Sequence, residues 1–364
     1  MQKAETMSQA RQVLEQMIGR IGQSHFAIIP GVVYEDLGAK PDGERGGAGA
    51  TGIDARVIQG RILVTQVEEG SPAAAQGVRP GWIISRVDGR EMAPVIAKVA
   101  QTYLNSTQRE LMLHHAVQAR ISGPVGGTRQ LEFLDGTDKI VQKTISLAAP
   151  PGELTIFGLL PPTPVWIHAR KLEGGIQYVA FNLFLDPARL MTAFGDAVAS
   201  AGPSAGFIID LRGNPGGLGI MANGIAGWFI DKPNQQLGVM QTRQGPLKFV
   251  VNPRLPANRG PLAMLVDGTS ASTSEIFAGG LQALGRARIF GSRTAGAALP
   301  SLIDQLPNGD AFQHANANYV SESGRTLEGA GVTPDVEVIP TREALLAGRD
   351  PVLDAAVKWI GAQK

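Results

Sequence analysis

The residues with the greatest chemical potential lie in a short serine-rich turn at positions 268–275. An apolar stretch at 262–267 predicts a strand before this turn, and an amphipathic stretch at 276–284 predicts a helix after it. A strand, a sharp turn and a helix N-terminus form the geometry that lifts a nucleophilic serine out of a sheet. The same geometry leaves backbone N–H groups free where an oxyanion would form. Because serines also cap helices, the turn alone predicts either a nucleophile or a helix cap.

A second group with chemical potential is His25, which follows Ser24 just after a predicted helix at 5–21. Gly22 marks the end of that helix. A histidine in this place is either a surface residue beside a helix end or a general base, and the local sequence leaves both readings open. The helix is indicated by apolar residues at helical spacing: Val13, Leu14, Met17, Ile18 and Ile21.

The elements that must position these groups fall into three regions. Residues 1–50 form an N-terminal helical segment that runs into a glycine-rich linker or lid at 37–52. Residues 51–150 carry short predicted strands with a helical insertion at 93–120, and residues 151–364 alternate strands with helices. That alternation predicts an α/β (α+β) core with a mixed, mostly parallel sheet and flanking helices. The strands expected between 51 and 150 lie at 54–58, 61–67, 82–87, 129–133 and 141–147.

Composition excludes several classes of function. The 33 basic and 32 acidic residues give a net charge of +1 without a basic run, so we expect no nucleic-acid partner. The chain has no cysteine, which excludes disulfides and cysteine-ligated metals, and we expect the pair His114–His115 on a solvated helix face rather than on a metal. No apolar run approaches the roughly 20 residues of a transmembrane helix. The N-terminus lacks the apolar core of a signal peptide, so we expect either a chain that stays inside or one whose export signal was removed.

The segment 69–81 resembles the signature of a bacterial PDZ domain. Gly70-Ser71-Pro72 opens a one-turn helix, and a Pro-Gly turn follows it, with Trp82 where the family usually has aspartate. PDZ domains bind an extended C-terminal peptide by adding it as a strand to a sheet. The resemblance implies a carboxylate-binding loop made by Gly52, Ile53 and Asp54.

Three blocks in fixed order resemble one family of serine peptidases, which holds the C-terminal processing (tail-specific) proteases and the tricorn protease core. The blocks lie at 208–218, at 269–296 and at 319–335. With the PDZ-like segment, the resemblance covers nearly the whole chain. It implies a tail-specific-protease or crotonase-like catalytic core.

The processing proteases in this family use a serine and a lysine. By that resemblance the nucleophile is Ser272, but Ala297 stands at the lysine position, so a Ser–Lys dyad cannot operate. A second departure is Ala283, where those proteases often carry an aspartate. The tricorn-like branch instead uses serine, histidine and glutamate with a helper serine.

The chain matches the tricorn-like pattern at each of these positions. The resemblance implies that His25 is the general base, that Ser24 is the helper and that Glu328, in front of a Gly-x-Gly-Val-x-Pro-Asp block, orients the imidazole. Glu328 alternatively makes a structural contact with an arginine. The oxyanion hole is expected from the backbone N–H of Thr273, one residue past the nucleophile, and by resemblance from that of Gly216.

We therefore expect a serine endopeptidase that acts on polypeptides without metal or cofactor. The PDZ-like segment is expected to bind substrate C-termini or to gate access. The rival interpretation is a non-catalytic protein on the same fold, either a binder of apolar ligands like the retinoid-binding repeats or an inactive PDZ scaffold. The bacterial-looking PDZ arrangement favours the periplasm or cell envelope, with the cytoplasm as the alternative, and the oligomeric state is open.

Overall fold

The N-terminal region contributes one helix and one strand to the structure. The computed structural model describes residues 6–30, 48–203 and 205–363, so most of the predicted linker at 37–52 lies outside the described residues. The helix is a little shorter than predicted and begins after a capping box, in which Thr6 and Gln9 satisfy each other's backbone N–H groups. These two elements are α1 (Met7–Gly19) and β1 (Ala27–Ile29).

The second region is built on an antiparallel sheet. Its elements are β2 (Ala48–Gly49), β3 (Ile53–Ile58), β4 (Arg61–Val67), α2 (Pro72–Ala75), β5 (Ile83–Val87), β6 (Arg90–Glu91), α3 (Ala93–Thr102), α4 (Arg109–Ile121), β7 (Gly123–Pro124), β8 (Thr128–Leu134) and β9 (Ile140–Ser146). The strand order in the sheet is β3-β4-β5-β8-β9, and β6 pairs with β5. All five predicted strands are confirmed, and the predicted helical insertion is a pair of helices, α3 and α4.

The third region holds the predicted α/β core, entered through a short hairpin. Its elements are β10 (Glu153–Thr155), β11 (Thr163–Val165), β12 (Ile167–Lys171), β13 (Gln177–Phe181), α5 (Pro187–Ala201), β14 (Phe207–Asp210), α6 (Gly219–Ala226), β15 (Gln235–Thr242), β16 (Gly245–Val251), β17 (Leu262–Val266), α7 (Thr273–Ala283), β18 (Arg288–Gly291), β19 (Ser301–Gln305), β20 (Ala311–Ala315), β21 (Ala317–Ser321), β22 (Val336–Glu337), α8 (Arg342–Leu346) and α9 (Pro351–Gly361).

The central sheet of the core is mixed, as predicted, with the order β12-β13-β14-β17-β18-β22. Only the β12–β13 pair is antiparallel among these neighbours. Alternate side chains of a strand point to opposite faces, so Ile209 and Met264 pack towards α5, α6 and α7, whereas Ile208 and Leu265 pack against α9. Helices thus bury both faces of the strands that carry the site residues at their ends.

The N-terminal segment docks on a small sheet at the edge of the core. Strand β1 pairs with β20, and Arg11 of α1 forms an ion pair with the buried Asp310 at 2.7 Å. The apolar stripe predicted on α1 is largely exposed, because only Ile18 is buried. This docking fixes the point at which the chain leaves α1 and passes through His25.

Two predicted strands of the core differ from the structure. The expected strand at 311–320 is divided into β20 and β21, because β20 pairs with β1 and β19 while β21 pairs with β15. The chain turns between them at Asn316, whose N–H donates to the Pro300 carbonyl. The expected strand at 332–339 is reduced to β22, since its first part approaches Pro334 as an irregular segment.

Candidate active site

The serine-rich turn joins β17 to α7 and presents one of its three serines to the site. The Ser270 hydroxyl donates to the Leu211 carbonyl at 2.7 Å, and the Ser274 hydroxyl donates to the Asn214 carbonyl at 2.9 Å, so both brace the turn. Ser272 has φ 55° and ψ −118°, a backbone conformation that residues other than glycine rarely adopt. Such strain at a strand-to-helix turn is typical of an exposed nucleophile.

The structure brings His25 to Ser272 from the other end of the sequence. The distance from His25 Nε2 to Ser272 Oγ is 3.2 Å, and His25 Nδ1 lies 2.7 Å from Ser24 Oγ. The Ser24 hydroxyl donates to Glu328 Oε2 at 2.8 Å, and the Ser24 N–H donates to Oε1 at 2.8 Å. Four side chains from three distant segments therefore form one hydrogen-bonded row.

The row itself indicates where the imidazole proton lies. A serine hydroxyl has a single proton, and that of Ser24 is donated to Glu328. Ser24 Oγ must then accept from His25 Nδ1, which leaves Nε2 of the neutral ring with its lone pair towards Ser272. This tautomer is the one that a general base needs.

Burial lowers the pKa of His25 below its ordinary value of 6.5, and the negative charge of Glu328 partly opposes that shift by raising it. The half-buried imidazole is therefore neutral at neutral pH. A neutral ring can accept a proton, and the carboxylate beyond Ser24 stabilises the charged ring that results.

Glu275, which the sequence interpretation did not single out, is fully buried beside Ser272 on the first turn of α7. Its carboxylate accepts from the N–H of Ser272 at 3.1 Å, of Gly296 at 2.8 Å and of Ala297 at 2.9 Å, and from the Thr294 hydroxyl at 2.6 Å. Burial raises its pKa to about 7, although these donors lower it. The Ser-x-x-Glu spacing of a capping box was the signal for this role.

The two N–H groups predicted to form the oxyanion hole differ in whether they already donate a hydrogen bond. The Thr273 N–H has no acceptor among the residues that the structure describes. The Gly216 N–H instead donates to the Asn214 side-chain oxygen at 2.9 Å. Gly216 has φ 104°, and a Cβ there would lie 2.8 Å from the Thr273 nitrogen, so only glycine allows this approach.

Ala297 occupies the position where a lysine was considered, and it is buried in a small apolar cluster. Leu111 of α4 packs there with Ala271, Ala295 and Ala297. Helix α4 thus packs against the serine-rich turn that carries Ser272.

The predicted PDZ loop lies at the free edge of β3, which faces α4. Gly52 has φ +79° and packs on Ser71, where a Cβ would collide. The Ile53 carbonyl accepts from the Gln118 side chain at 3.4 Å, and Asp54 forms an ion pair with Arg56. The Ile53 carbonyl and the Asp54 carboxylate of this loop are therefore already bound by other residues of the chain.

The sequence had suggested that His114 and His115 both lie on a solvated helix face, and this is correct for the exposed His115 but wrong for His114. Its side chain is 18% exposed, and Nδ1 lies 3.2 Å from the Ala55 carbonyl and 3.0 Å from the Arg56 guanidinium. Helix α4 packs this face against β3, which the local sequence did not indicate. Within the described part of the chain, no group of three or more His, Asp or Glu residues is placed to hold a metal ion.

Comparison with known proteins identifies relatives of the core and of most of the chain. Residues 175–338, just under half of the chain, match the model of peptidase family S41. A carboxy-terminal-processing protease of Bartonella bacilliformis is 29% identical over 314 residues, which cover 82% of this chain and 63% of that protein. The chloroplastic carboxyl-terminal-processing peptidase 3 of Arabidopsis thaliana is 27% identical over 332 residues, or 89% of this chain and 59% of that protein. The chain thus spans about three fifths of these relatives' length.

Solved structures share the fold at lower identity. The photosystem II D1 C-terminal processing protease superposes with a TM-score of 0.58 and 19% identity over 99% of this chain and 88% of that one. Mature CPAF, solved with lactacystin, superposes with a TM-score of 0.65 and 15% identity over 97% and 88%. Among the described helices, none has the length and apolarity needed to cross a membrane.

Proposed function

We propose that this protein is a serine endopeptidase whose nucleophile is Ser272, since residues 175–338 match the model of peptidase family S41. The observation that carries the proposal is the hydrogen-bonded row from Ser272 through His25 and Ser24 to Glu328. A nucleophile, its base and the group that orients the base need such contacts, at roughly 2.6–3.2 Å.

In the acylation step, Ser272 Oγ attacks the carbonyl carbon of the scissile peptide bond while its proton passes to His25 Nε2. The tetrahedral intermediate then collapses, the C–N bond breaks, and the same proton goes from Nε2 to the leaving amine. A water molecule repeats the sequence on the ester: it gives one proton to Nε2 and its oxygen to the acyl group. The bond between the acyl carbon and Ser272 Oγ then breaks, Nε2 returns its proton to Oγ, and the second product leaves as a carboxylic acid.

Ser24 and Glu328 act through the imidazole rather than on the substrate. The Ser24 oxygen holds Nδ1–H, so that the ring cannot rotate or change its tautomer, and Glu328 fixes Ser24 by accepting from its hydroxyl and its N–H. When His25 becomes charged, the carboxylate stabilises it through the intervening hydroxyl.

The proposed oxyanion hole uses the N–H groups of Thr273 and Gly216. Thr273 has its N–H free, whereas Gly216 must exchange the Asn214 oxygen for the oxyanion as the substrate binds. Catalytic hydrogen bonds in free enzymes often tighten in this way only with substrate present. Losing one such donor typically costs about 3 kcal/mol of transition-state stabilisation.

A polypeptide substrate that is recognised by its C-terminus is the partner we propose for the region of β3. The peptide would add to the free edge of β3 near Gly52, Ile53 and Asp54. It would have to displace Gln118 and His114 from the carbonyls that they now engage. A periplasmic or envelope location accords with the bacterial processing protease among the relatives and stays a prediction.

The two interpretations of this fold make different demands on the site. A binder of apolar ligands calls for a closed apolar cavity beside a displaced His25, whereas the peptidase calls for the contact between His25 and Ser272. The observed 3.2 Å contact favours the peptidase.

Peptide hydrolysis by single-residue variants tests the proposal. Unfolded polypeptide is offered to the wild type, to Ser272→Ala and to His25→Ala, with Ser323→Ala, an exposed serine, as the matched control. We expect the first two variants to lose at least about a thousandfold in kcat with unchanged thermal unfolding, and the control to retain full activity. Full cleavage by Ser272→Ala would refute the assignment.

A further inference from the structure

A cavity of about 580 Å³ adjoins the row of site residues on the side of Glu328. Its size falls in the usual range of ligand pockets, about 300–1,000 Å³. Three separate parts of the chain form its walls: the turn at 22–23 after α1, the connection at 101–108 between α3 and α4, and the pair Glu328–Gly329. None of these walls has a role in the chemistry described above except Glu328.

The lining of this cavity is polar and almost without charge. The connection at 101–108 presents amide and hydroxyl side chains together with one apolar side chain, the exposed Leu104, and Gln23 adds another amide from the opposite wall. No lysine or arginine occurs among the lining residues of the described chain. Both oxygens of Glu328 are already used, by Ser24 and by the Ala298 N–H at 2.9 Å.

These walls favour one kind of occupant. Amides and hydroxyls offer both donors and acceptors, so they match a peptide backbone and neutral polar side chains. An acidic side chain would meet the negative charge of Glu328 without a cation to balance it. An aliphatic side chain would find one apolar partner, Leu104, and would remove the remaining amides and hydroxyls from water without giving them partners.

The cavity lies close to the reacting atoms. Gln23 directly precedes Ser24 in the chain, and Thr107 packs on Gly296, where a Cβ would lie 2.5 Å from its hydroxyl oxygen. The next residue, Ala297, accepts the Ser272 N–H at 2.8 Å through its carbonyl. The path from Glu328 to Ser272 consists of three hydrogen bonds, a span that an extended peptide of about three residues covers at roughly 3.3 Å per residue.

We propose that this cavity is a substrate subsite for a neutral polar segment, one that contains asparagine, glutamine, serine or threonine, about three residues from the scissile bond. The inference rests on the proposed peptidase function and adds a sequence preference to it. The side chains that would form hydrogen bonds with this substrate segment are Asn105 and Gln108, on the connection between α3 and α4.

Matched peptides test the subsite. Three series carry glutamine, glutamate or leucine at each position within five residues of a mapped cleavage site, and kcat and KM are measured for each. The wild type should prefer glutamine over glutamate and leucine by about tenfold in kcat/KM at one position, as two neutral hydrogen bonds would provide. The double variant Asn105→Ala/Gln108→Ala should lose that preference through KM, with kcat unchanged. Gln244→Ala, on an exposed turn, is the matched control and should keep the preference.

The outcomes separate the subsite from the peptidase function. A double variant that keeps the wild-type preference, or that weakens all three series equally, overturns the subsite while leaving the peptidase in place. A wild type that cleaves none of the peptides fails the peptidase proposal. In that case the binding of fluorescein-labelled glutamine and glutamate peptides to Ser272→Ala is measured by fluorescence anisotropy. Equal affinities for the two peptides would overturn the subsite. Tighter binding of the glutamine peptide that is lost in the double variant would support the subsite.

Discussion

Ser272 and His25 both adopt positive φ, at 55° and 60°, and this strain aims their side chains at each other. The strain in the serine is held by Glu275, whose carboxylate ties the Ser272 N–H to the loop that carries Gly296 and Ala297. The imidazole is held from behind by Ser24. Each residue of the proposed nucleophile–base pair is therefore fixed by a neighbour outside the pair.

The protonation of His25 sets the expected dependence of activity on pH. As the proposed base, His25 accepts a proton only when neutral, and burial lowers its pKa below 6.5, so kcat/KM should show an acid limb below that value. The charge of Glu328 raises the same pKa, so Glu328→Gln should move the acid limb to still lower pH while it reduces the rate. Peptide hydrolysis between pH 4.5 and 9 measures both profiles. An acid limb that moves upward in Glu328→Gln would contradict the arrangement.

At the scale of elements, α1 and β1 carry His25 to a core that lies far along the sequence. Their attachment depends on the β1–β20 pairing and on the ion pair from Arg11 to Asp310, whose side chain is 1% exposed. The exposed apolar side chains of α1 contribute little to that attachment. The position of the base therefore depends on a few specific contacts.

Arg11→Ala should loosen this attachment without unfolding the core. We expect faster hydrogen exchange in α1 and β1, unchanged exchange in β14 and β17, and a fall in kcat/KM of about tenfold to a hundredfold, because the base is misplaced. Arg20→Ala, at the exposed end of the same helix, is the control and should behave as the wild type. Equal exchange rates in Arg11→Ala and in the control would show that the ion pair does not hold the segment.

Helix α4 fills the space at Ala297, so a lysine cannot be added there as an alternative base. Ala297 is 4% exposed against Leu111, and a lysine would bring both excess volume, which typically costs about 1–3 kcal/mol, and a buried charge. Ala297→Lys should therefore lower the thermal midpoint and fail to restore cleavage to His25→Ala. Ala283→Lys on the exposed end of α7 is the matched control and should be tolerated. Restored cleavage in the double variant would contradict this account of the site.

At the scale of the whole molecule, the antiparallel sheet region and the core are joined by a partly buried ionic contact. The Arg56 guanidinium donates to Asp267 at 3.0 Å and to the Thr269 hydroxyl at 3.3 Å, and it also pairs with Asp54. Asp267 and Thr269 lie at the start of the serine-rich turn, while Arg56 and Asp54 belong to β3. The site is thus supported by the region that the sequence assigned to peptide binding.

Breaking this contact should destabilise the fold in a pH-dependent way. Arg56→Ala leaves the partly buried Asp267 without its cation, and we expect a cost smaller than the roughly 3–5 kcal/mol that is typical of a fully buried pair. Burial raises the pKa of Asp267, but Arg56 and the donors on Thr269 and Gly213 outweigh it and hold that pKa well below 3.8. The contact therefore stabilises the wild type above about pH 3.8 and is lost as acidification approaches the lower, folded-state pKa.

Urea unfolding of Arg56→Ala at pH 7 and in acid measures this contribution. Arg61→Ala, at the exposed start of β4, is the control and should match the wild type. We expect the deficit of Arg56→Ala to be largest at neutral pH and to shrink in acid. A deficit that is equal at both pH values would contradict the role assigned to Asp267.

Much of this fold could be predicted from the sequence, because the alternation of apolar and polar residues in strands and the residues typical of turns are local signals. The strands of 51–150, the mixed sheet and the serine turn all carry such signals. The division of 311–320 into β20 and β21 could not be predicted, since it depends on the distant pairing partners β1 and β15. The β15–β16 hairpin is a local pairing that the sequence analysis missed. Likewise the burial of His114 is set by a tertiary contact with β3 that no local pattern encodes, whereas the Gly216 N–H is bound locally by the Asn214 side chain two residues earlier.

The contact between Ser272 and His25 is tested most directly by covalent labelling with a fluorophosphonate. This reagent reacts with a serine only when a base activates its hydroxyl. We predict a single adduct on the intact protein, mapped to Ser272 by peptide mass spectrometry, and its loss in His25→Ala with the fold intact. No adduct on the folded wild type, or equal labelling in His25→Ala, would contradict the central claim.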